Sequence, residues 1–354
     1  MRNQPAFARV TALVLGVTVL LSIAGCAAEP TARWVDGSAE NSPEPSALPE
    51  MTLAFAGDVH FAGRTLGLLD DPDSAFGPVS RVLSAADVAV VNLETAVTEG
   101  GTPEPKQFHF RAPASAYQAV RAAGIDAVSL ANNHALDYGR DGLADTLRHA
   151  AQANMPVVGA GPDAKAAYSP WVTGVNGVRV AVLGLSQISE LAERWEARDR
   201  VSGIAMGHDR ARAARAVRAA KRRADVVIVF LHWGQEGNQC PTNRMKRLAK
   251  TLARAGATAV IGTHAHLLQG DGWLGNTYVA YGLGNFLWWR DGAFSNDTGV
   301  VRLTLRGSKL ADTEFVPARI SGTGQPLPVR GTQARRINDK FAGLRACTGL
   351  SESR

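Results

Sequence analysis

The chain has 354 residues, a formal net charge of +6, eight histidines and three cysteines. Setting aside Arg2 and Arg9 brings the charge to about +4, unremarkable at this length, so bulk electrostatics single out no partner. From Met51 onward about 300 residues remain, and with no second composition break or internal repeat they are expected to form one domain.

Arg2 and Arg9 precede an apolar stretch from Val10 to Ile23 that closes on Ile23-Ala24-Gly25-Cys26. This order of a basic start, a short apolar run and small residues reads as a secretory signal over residues 1–25, too short to span a membrane comfortably. The closing four residues resemble the bacterial lipobox. That resemblance implies that Cys26 is lipidated and holds the protein on the outer face of the cell membrane. Residues 26–50 carry Pro30, Pro43, Pro45 and Pro49 among Ser, Glu and Ala, the composition of a flexible tether. The folded domain is expected over 51–354.

Short apolar runs then alternate with helical patterns. "MTLAFAGD" precedes a helix near "GPVSRVLSAA", and "DVAVVNLE" precedes a Pro-rich loop and the helix "ASAYQAVRAAG". "DAVSLANNH" leads into the helix "RDGLADTLRHAAQAN", and "WVTGVNGVRVAVLGL" is a hairpin turning on Asn176-Gly177. The run 209–223 sets Arg212, Arg215, Arg218 and Arg222 on one helical face. A solvated face is the plain reading, and contact with an anionic polymer or lipid headgroups the sharper one. No basic–aromatic pattern accompanies the run, so no nucleic acid is expected. "DVVIVFLHWG", the helix "TNRMKRLAKTLARAG" and "TAVIGTHAH" follow, and "NTYVAYGLGNF", "GVVRLTLRG" and "TEFVPARI" read as antiparallel strands. The expected fold is α/β, with mostly parallel core strands, antiparallel C-terminal strands and helices outside.

The apolar runs end alike. They finish on Asp58 and His60, on Glu94, on Asn133 and His134, on His232, and on His264 and His266, which takes five of the eight histidines. Strand carboxyl ends converge on a ligand crevice in open α/β sheets. Imidazole with carboxylate suits Zn, Fe or Mn, and the absence of cysteine argues against a purely structural zinc. About seven donors exceed one tetrahedral ion and suit two divalent ions sharing a carboxylate, roughly 3.5 to 4 Å apart.

The order Asp-x-His, acid, Asn-His, His, His-x-His resembles the calcineurin-like metallophosphoesterases. Within them, "AGDVHFAGR", "VVNLETAVT", "LANNHALDYG", "LHWGQE", "GTHAHLLQG" and "YGLGNF" resemble the CapA family of poly-γ-glutamate capsule synthesis, over about residues 51 to 290. The resemblance implies a metallophosphoesterase-like layered sandwich. It puts Asp58, His60 and His266 on one metal and Asn133, His232 and His264 on the other, with Glu94 bridging and His134 protonating the leaving oxygen. Arg64, Asn132, Trp233, Glu236 and Asn285 fall in the same blocks as candidates for the substrate crevice, Asn132 also as an orienting group. Two departures from the wider family stand out. Glu94 replaces its bridging Asp, and Ala135 replaces the acid after the His, for which Asp137 is the nearby substitute.

Two function classes follow: a metal-dependent hydrolase of an envelope phosphoester or γ-glutamyl bond, or a non-catalytic subunit that holds polymer. Expected partners are the membrane through the lipid, an anionic envelope polymer or phosphoester, and membrane-bound capsule-synthesis subunits. Cys240 and Cys347 can pair in an exported protein, closing a loop of about 107 residues and fixing the chain end, with two free thiols as the alternative.

Overall fold

The computed structural model describes residues 48–354, so the signal, Cys26 and nearly all of the tether lie outside the described residues. Among the described residues no helix is long and apolar enough to cross a membrane.

Two sheets share one core. In the first, Glu50–Val59 pairs in parallel with Val88–Leu93, which continues in parallel through Ala127–Ser129 to Val157–Val158. On its other side Asp297–Arg306, Lys309–Ile320 and Pro326–Pro328 run antiparallel. In the second, Val178–Ser186, Val226–His232, Ala259–Thr263 and Thr277–Leu283 are parallel neighbours, edged by the antiparallel strands Trp171–Val175 and Leu268–Leu274.

The period of two sorts each strand's residues between layers. Leu53 and Phe55 meet Ile228 and Phe230 between the sheets. Ala54 and Ala56 face the helices outside the first sheet, beside Ala116, Val120 and Leu143. Val229 and Leu231 face Val217 and Leu248 of the helices Arg210–Lys221 and Asn243–Ala255, outside the second. With both faces covered, the strands read as continuous apolar runs. Phe55 and Phe230 are fully buried, so truncating either to Ala would cost about 3–5 kcal/mol.

Local chemistry sets the element ends. Asp209 accepts hydrogen bonds from the backbone N–H of Ala211 and Arg212 at the start of Arg210–Lys221, and Thr242 accepts from Met245 at the start of Asn243–Ala255. Asn176 and Gly177 both take positive φ (49° and 80°), as a two-residue hairpin turn requires.

The stretch "NTYVAYGLGNF" differs from a single antiparallel strand. Thr277–Leu283 lies parallel to Ala259–Thr263 in the second sheet, while Asn285–Leu287 pairs in parallel with Glu50–Val59 in the first. Gly284 (φ 66°) is the corner between them. Its carbonyl accepts from Asp58 N–H at 2.9 Å, so close to Gly57 that a Cβ there would lie 1.9 Å from the oxygen. This contact sets Asn285 beside Asp58. Cys240 and Cys347 form a disulfide, and Asp297 holds Arg336 and Lys340 of the helix Gly331–Gly343.

Candidate metal centre

The strand ends of both sheets meet at one buried cluster. Asp58 and Glu94 come from the first sheet and its edge loops, as does Asn133, just beyond Ala127–Ser129. His232 closes a strand of the second sheet, and His264 and His266 follow Ala259–Thr263. Consecutive i, i+2 residues of a continuing strand would share a face, yet the chain here has already left the strand. Both histidines hold positive φ (89° and 57°), rare for residues with a Cβ and a conformation that costs about 1–3 kcal/mol. Such strain is maintained where a site needs particular side-chain directions.

One set of donors surrounds His232 Nε2. Asn133 Oδ1 lies 2.8 Å from it, His264 Nδ1 3.0 Å and Glu94 Oε1 3.2 Å. His232 Nδ1 sits 3.0 Å from Thr263 Oγ1, whose hydroxyl donates to Leu231 O. A second set gathers about Asp58, which has His266 Nδ1 3.3 Å away and accepts from His264 N–H at 3.1 Å. Two ligand groups can be drawn, Asp58-Glu94-His232 and Glu94-His264-His266, and Glu94 belongs to both.

His60 is buried between Phe110 and Trp288, with ring centroids 4.4 Å from each. Among the described residues neither of its nitrogens has a hydrogen-bond partner, nor has either oxygen of the fully buried Glu94. Buried polar atoms are nearly always paired, so orphans near five further donors fit a cation. The electrostatics agree. Burial and the neighbouring Asp58 carboxylate push Glu94 well above the ordinary range. Burial would lower His266, but Glu94 and Asp58 outweigh it and hold it protonated, up to about 9. Both shifts mark a site that favours added positive charge, which a bound cation would supply in place of these protons. The donor set fits divalent metal.

Asn92, which the motif reading missed, ties the cluster together. Its amide nitrogen donates to Asp58 Oδ1 at 2.8 Å and lies 3.1 Å from His232 Nδ1, while its oxygen accepts from Asn132 at 3.0 Å. Its only signal was a polar residue inside the apolar run "VAVVNLE". Asn132 also donates to Leu93 O and accepts from His134 N–H at 3.0 Å. Fully buried and saturated, it orients its neighbours and cannot reach a substrate, which corrects its place among the crevice candidates.

His134 Nδ1 lies 2.7 Å from Asp137 Oδ2, so Asp137 takes the part of the missing acid at position 135. Asp137 Oδ2 also accepts from Phe110 N–H, and Oδ1 from the buried Lys106 at 2.9 Å. Lys106, unnoticed in "PEPKQF", also donates to the Asn133 carbonyl. Burial, then the Lys106 charge, holds His134 well below its ordinary pKa, and burial against the pull of Lys106 raises Asp137 to about 6.

A cavity of about 380 Å³ opens over the cluster, lined by His134, His266, Glu236, Asn285, Trp288 and Trp289 among others. Glu236 and Asn285 thus sit where the motif blocks implied. Two other candidates do not. Trp233 is fully buried in the core outside the second sheet, its Nε1–H donating to Tyr281 O. Arg64 spends its guanidinium on the carbonyls of Trp288, Gly322 and Arg290, bracing the crevice wall from behind. His109, His149 and His208 each face a backbone carbonyl (Glu104, Val97 and Ile188), away from the donors.

The family model for the bacterial capsule synthesis protein PGA_cap matches residues 52–288. The chain is 30% identical over 330 residues to the capsule biosynthesis protein CapA of Bacillus anthracis, covering 91% of this chain and 78% of that one. It is likewise 30% identical over 288 residues to the PGA biosynthesis protein CapA of Bacillus subtilis, covering 79% and 74%. Among solved structures, a protein described as a 5′-nucleotidase from Staphylococcus aureus superposes with a TM-score of 0.50 at 16% identity, covering 83% of this chain and 58% of that one. That likeness bears on the fold alone. With matching blocks along most of its length and a phosphoesterase-like sandwich beneath them, the chain belongs to the CapA-type bacterial capsule synthesis family.

Proposed function

We propose that the protein is an exported, lipid-anchored, metal-dependent hydrolase that acts during synthesis of an anionic capsule polymer. The observation that carries this reading is the convergence of Asp58, Glu94, Asn133, His232, His264 and His266, with both oxygens of Glu94 and both nitrogens of the neighbouring His60 left without partners among the described residues. Asp58, His60 and His266 would hold one divalent ion and Asn133, His232 and His264 a second, with Glu94 shared. Such a pair supplies an activated water and a clamp for the oxygens of an in-line displacement.

The remaining work falls to the chain. His134 lines the cavity, and its Nδ1 is engaged with Asp137, which leaves Nε2 to pass a proton to a leaving oxygen. Asp137, itself fixed by Lys106 and Phe110 N–H, keeps the ring in one orientation. Asn92 and Asn132 lock Asp58 and the Asn133-His134 backbone. Trp288 and Trp289 line the cavity, Trp288 packing against His60 and His266. Candidate substrates are a phosphoester of an envelope intermediate or a γ-glutamyl bond of the polymer itself. The PGA biosynthesis named for the Bacillus subtilis relative supports the polymer class.

The test is metal analysis of the purified protein followed by a screen with an aryl phosphate and with γ-linked polyglutamate. Two metals per chain with turnover of either is the expected result. Absence of metal overturns the reading, and metal without turnover favours a non-catalytic subunit that works through membrane-bound partners. Anchoring is tested separately: Cys26→Ala should release the protein from membranes, and a variant that still pellets after a high-salt wash excludes lipid attachment there.

A further inference from the structure

The helices Arg210–Lys221 and Asn243–Ala255 lie side by side outside the second sheet and bury Ala213, Val217, Leu248 and Leu252 there. The charges on their outward sides are all positive. Arg215, Arg218 and Arg222 are exposed on and just past the first, and Arg247, Lys250 and Arg254 on the second. Neither 210–223 nor 243–255 contains a single Asp or Glu. The other long helices differ. Gly139–Gln152 pairs Arg148 with Asp145 at 2.8 Å, and Gly331–Gly343 turns Arg336 and Lys340 onto Asp297.

A merely solvated face would mix signs, because like charges three and four residues apart destabilise a helix. Here Arg215-Arg218-Arg222 and Arg247-Lys250-Arg254 repeat that unfavourable spacing on adjacent helices. Internal relief is slight. Arg215 has Asp209 at 3.9 Å, and among the described residues Arg218, Arg222, Arg247, Lys250 and Arg254 form no ion pair. The arrangement is costly to the free protein and would be relieved by an external polyanion. The exposed large apolar residues (Leu48, Leu66, Phe108, Phe294 and Leu327) all lie elsewhere. The face therefore has nothing to insert into a lipid interface, which favours a soluble chain over a membrane. Arginine predominates, and its planar fork matches carboxylate groups two bonds at a time.

We infer that this double-helix face is a docking site for a linear polycarboxylate, with rows of cations about 5–6 Å apart meeting an anion at each repeat. The capsule-family reading suggests the polymer, but the site is separate from the metal cluster and does not depend on its chemistry. The full chain in detergent is titrated with γ-linked polyglutamate of defined length in low and in moderate salt. Binding that falls steeply with salt is expected. Replacing Arg215, Arg218, Arg247 and Lys250 together by Gln, a good helix former, should weaken it at least tenfold. The variant with Lys at positions 215, 218 and 247 keeps most of the affinity and controls for folding. Glu94→Gln should bind polymer like the parent while losing metal. Unchanged binding in the Gln variant overturns the inference. So does loss of binding in Glu94→Gln, which would move the polymer to the crevice, or binding to phosphatidylglycerol vesicles without binding to the polymer.

Discussion

Glu94→Gln should move stability and metal affinity in opposite directions. The carboxylate is fully buried, both its oxygens lack a hydrogen-bond partner, and Asp58 adds a second negative charge nearby. In metal-free protein it is a liability, because burial and the Asp58 charge both penalise its ionised form. Gln keeps the shape and removes the charge, so the metal-free variant should be more stable than the parent by about 1–3 kcal/mol. The gain should grow with pH. A carboxyl whose folded pKa is raised weighs least against folding below its unfolded value near 4.3, and progressively more as pH climbs toward the folded one. Metal binding should suffer instead. Two unit charges 4 Å apart interact by about 4 kcal/mol at an effective dielectric of 20, so losing the shared carboxylate should weaken binding by about a thousandfold. The assay pairs urea melts in chelator at pH 5 and 8 with metal content after gel filtration. A variant that is less stable than the parent in chelator yet retains its metal would refute the bridging role.

Asp137→Asn should lower turnover about a hundredfold through disorientation of His134 while leaving metal content within twofold; equal loss of metal would make Asp137 part of the metal-holding set. Cys347→Ser should lower stability by about 4–5 kcal/mol in the chain-entropy account, given the 107-residue separation, read from the denaturant midpoint. Two freely labelled thiols in denatured, unreduced protein would remove the premise. Burial would raise Asp297, but the hydrogen bonds from Arg336 and Lys340 outweigh it and hold its pKa lowered. Its contribution is therefore present above the ordinary carboxylate value near 3.9 and lost as pH falls through the lower folded one. Asp297→Asn should cost about 2 kcal/mol at pH 7, with the gap to the parent closing near pH 3 in urea melts; a constant gap would show that charge is not the cause.

Strand ends were legible because covered parallel strands announce themselves as apolar runs, and a polar residue that stops such a run stands out. That logic located Asp58, Glu94, Asn133, His232, His264 and His266, whose donors the structure brings within hydrogen-bonding distance of one another. It failed where a role depends on contacts far along the chain. Lys106 reaches Asn133 and Asp137 across about 30 residues of sequence, and no local pattern distinguishes it from a solvated lysine. Trp233 misled for the opposite reason: next to His232 in sequence, it points to the other face of its strand, as alternation demands. Gly284 hid a change of sheet inside what reads as one strand, since sequence records a kink but not the partner on either side of it.

The division of donors between the sheets explains why the cluster needs both. The first sheet delivers the oxygens of Asp58, Glu94 and Asn133, with His60 its one imidazole. The second delivers the imidazoles of His232, His264 and His266. Alone, the first half would gather buried carboxylates without counter-charge and the second would gather buried imidazoles without an anion, each an arrangement that burial penalises. Set face to face, each half supplies what the other lacks. The core between the sheets, with Phe55 against Phe230 at 6.4 Å, fixes the distance across which they meet. Ions held at that seam would bind both sheets at once, so bound metal should add to the stability of the folded chain, as for any site that does not exist in the unfolded chain.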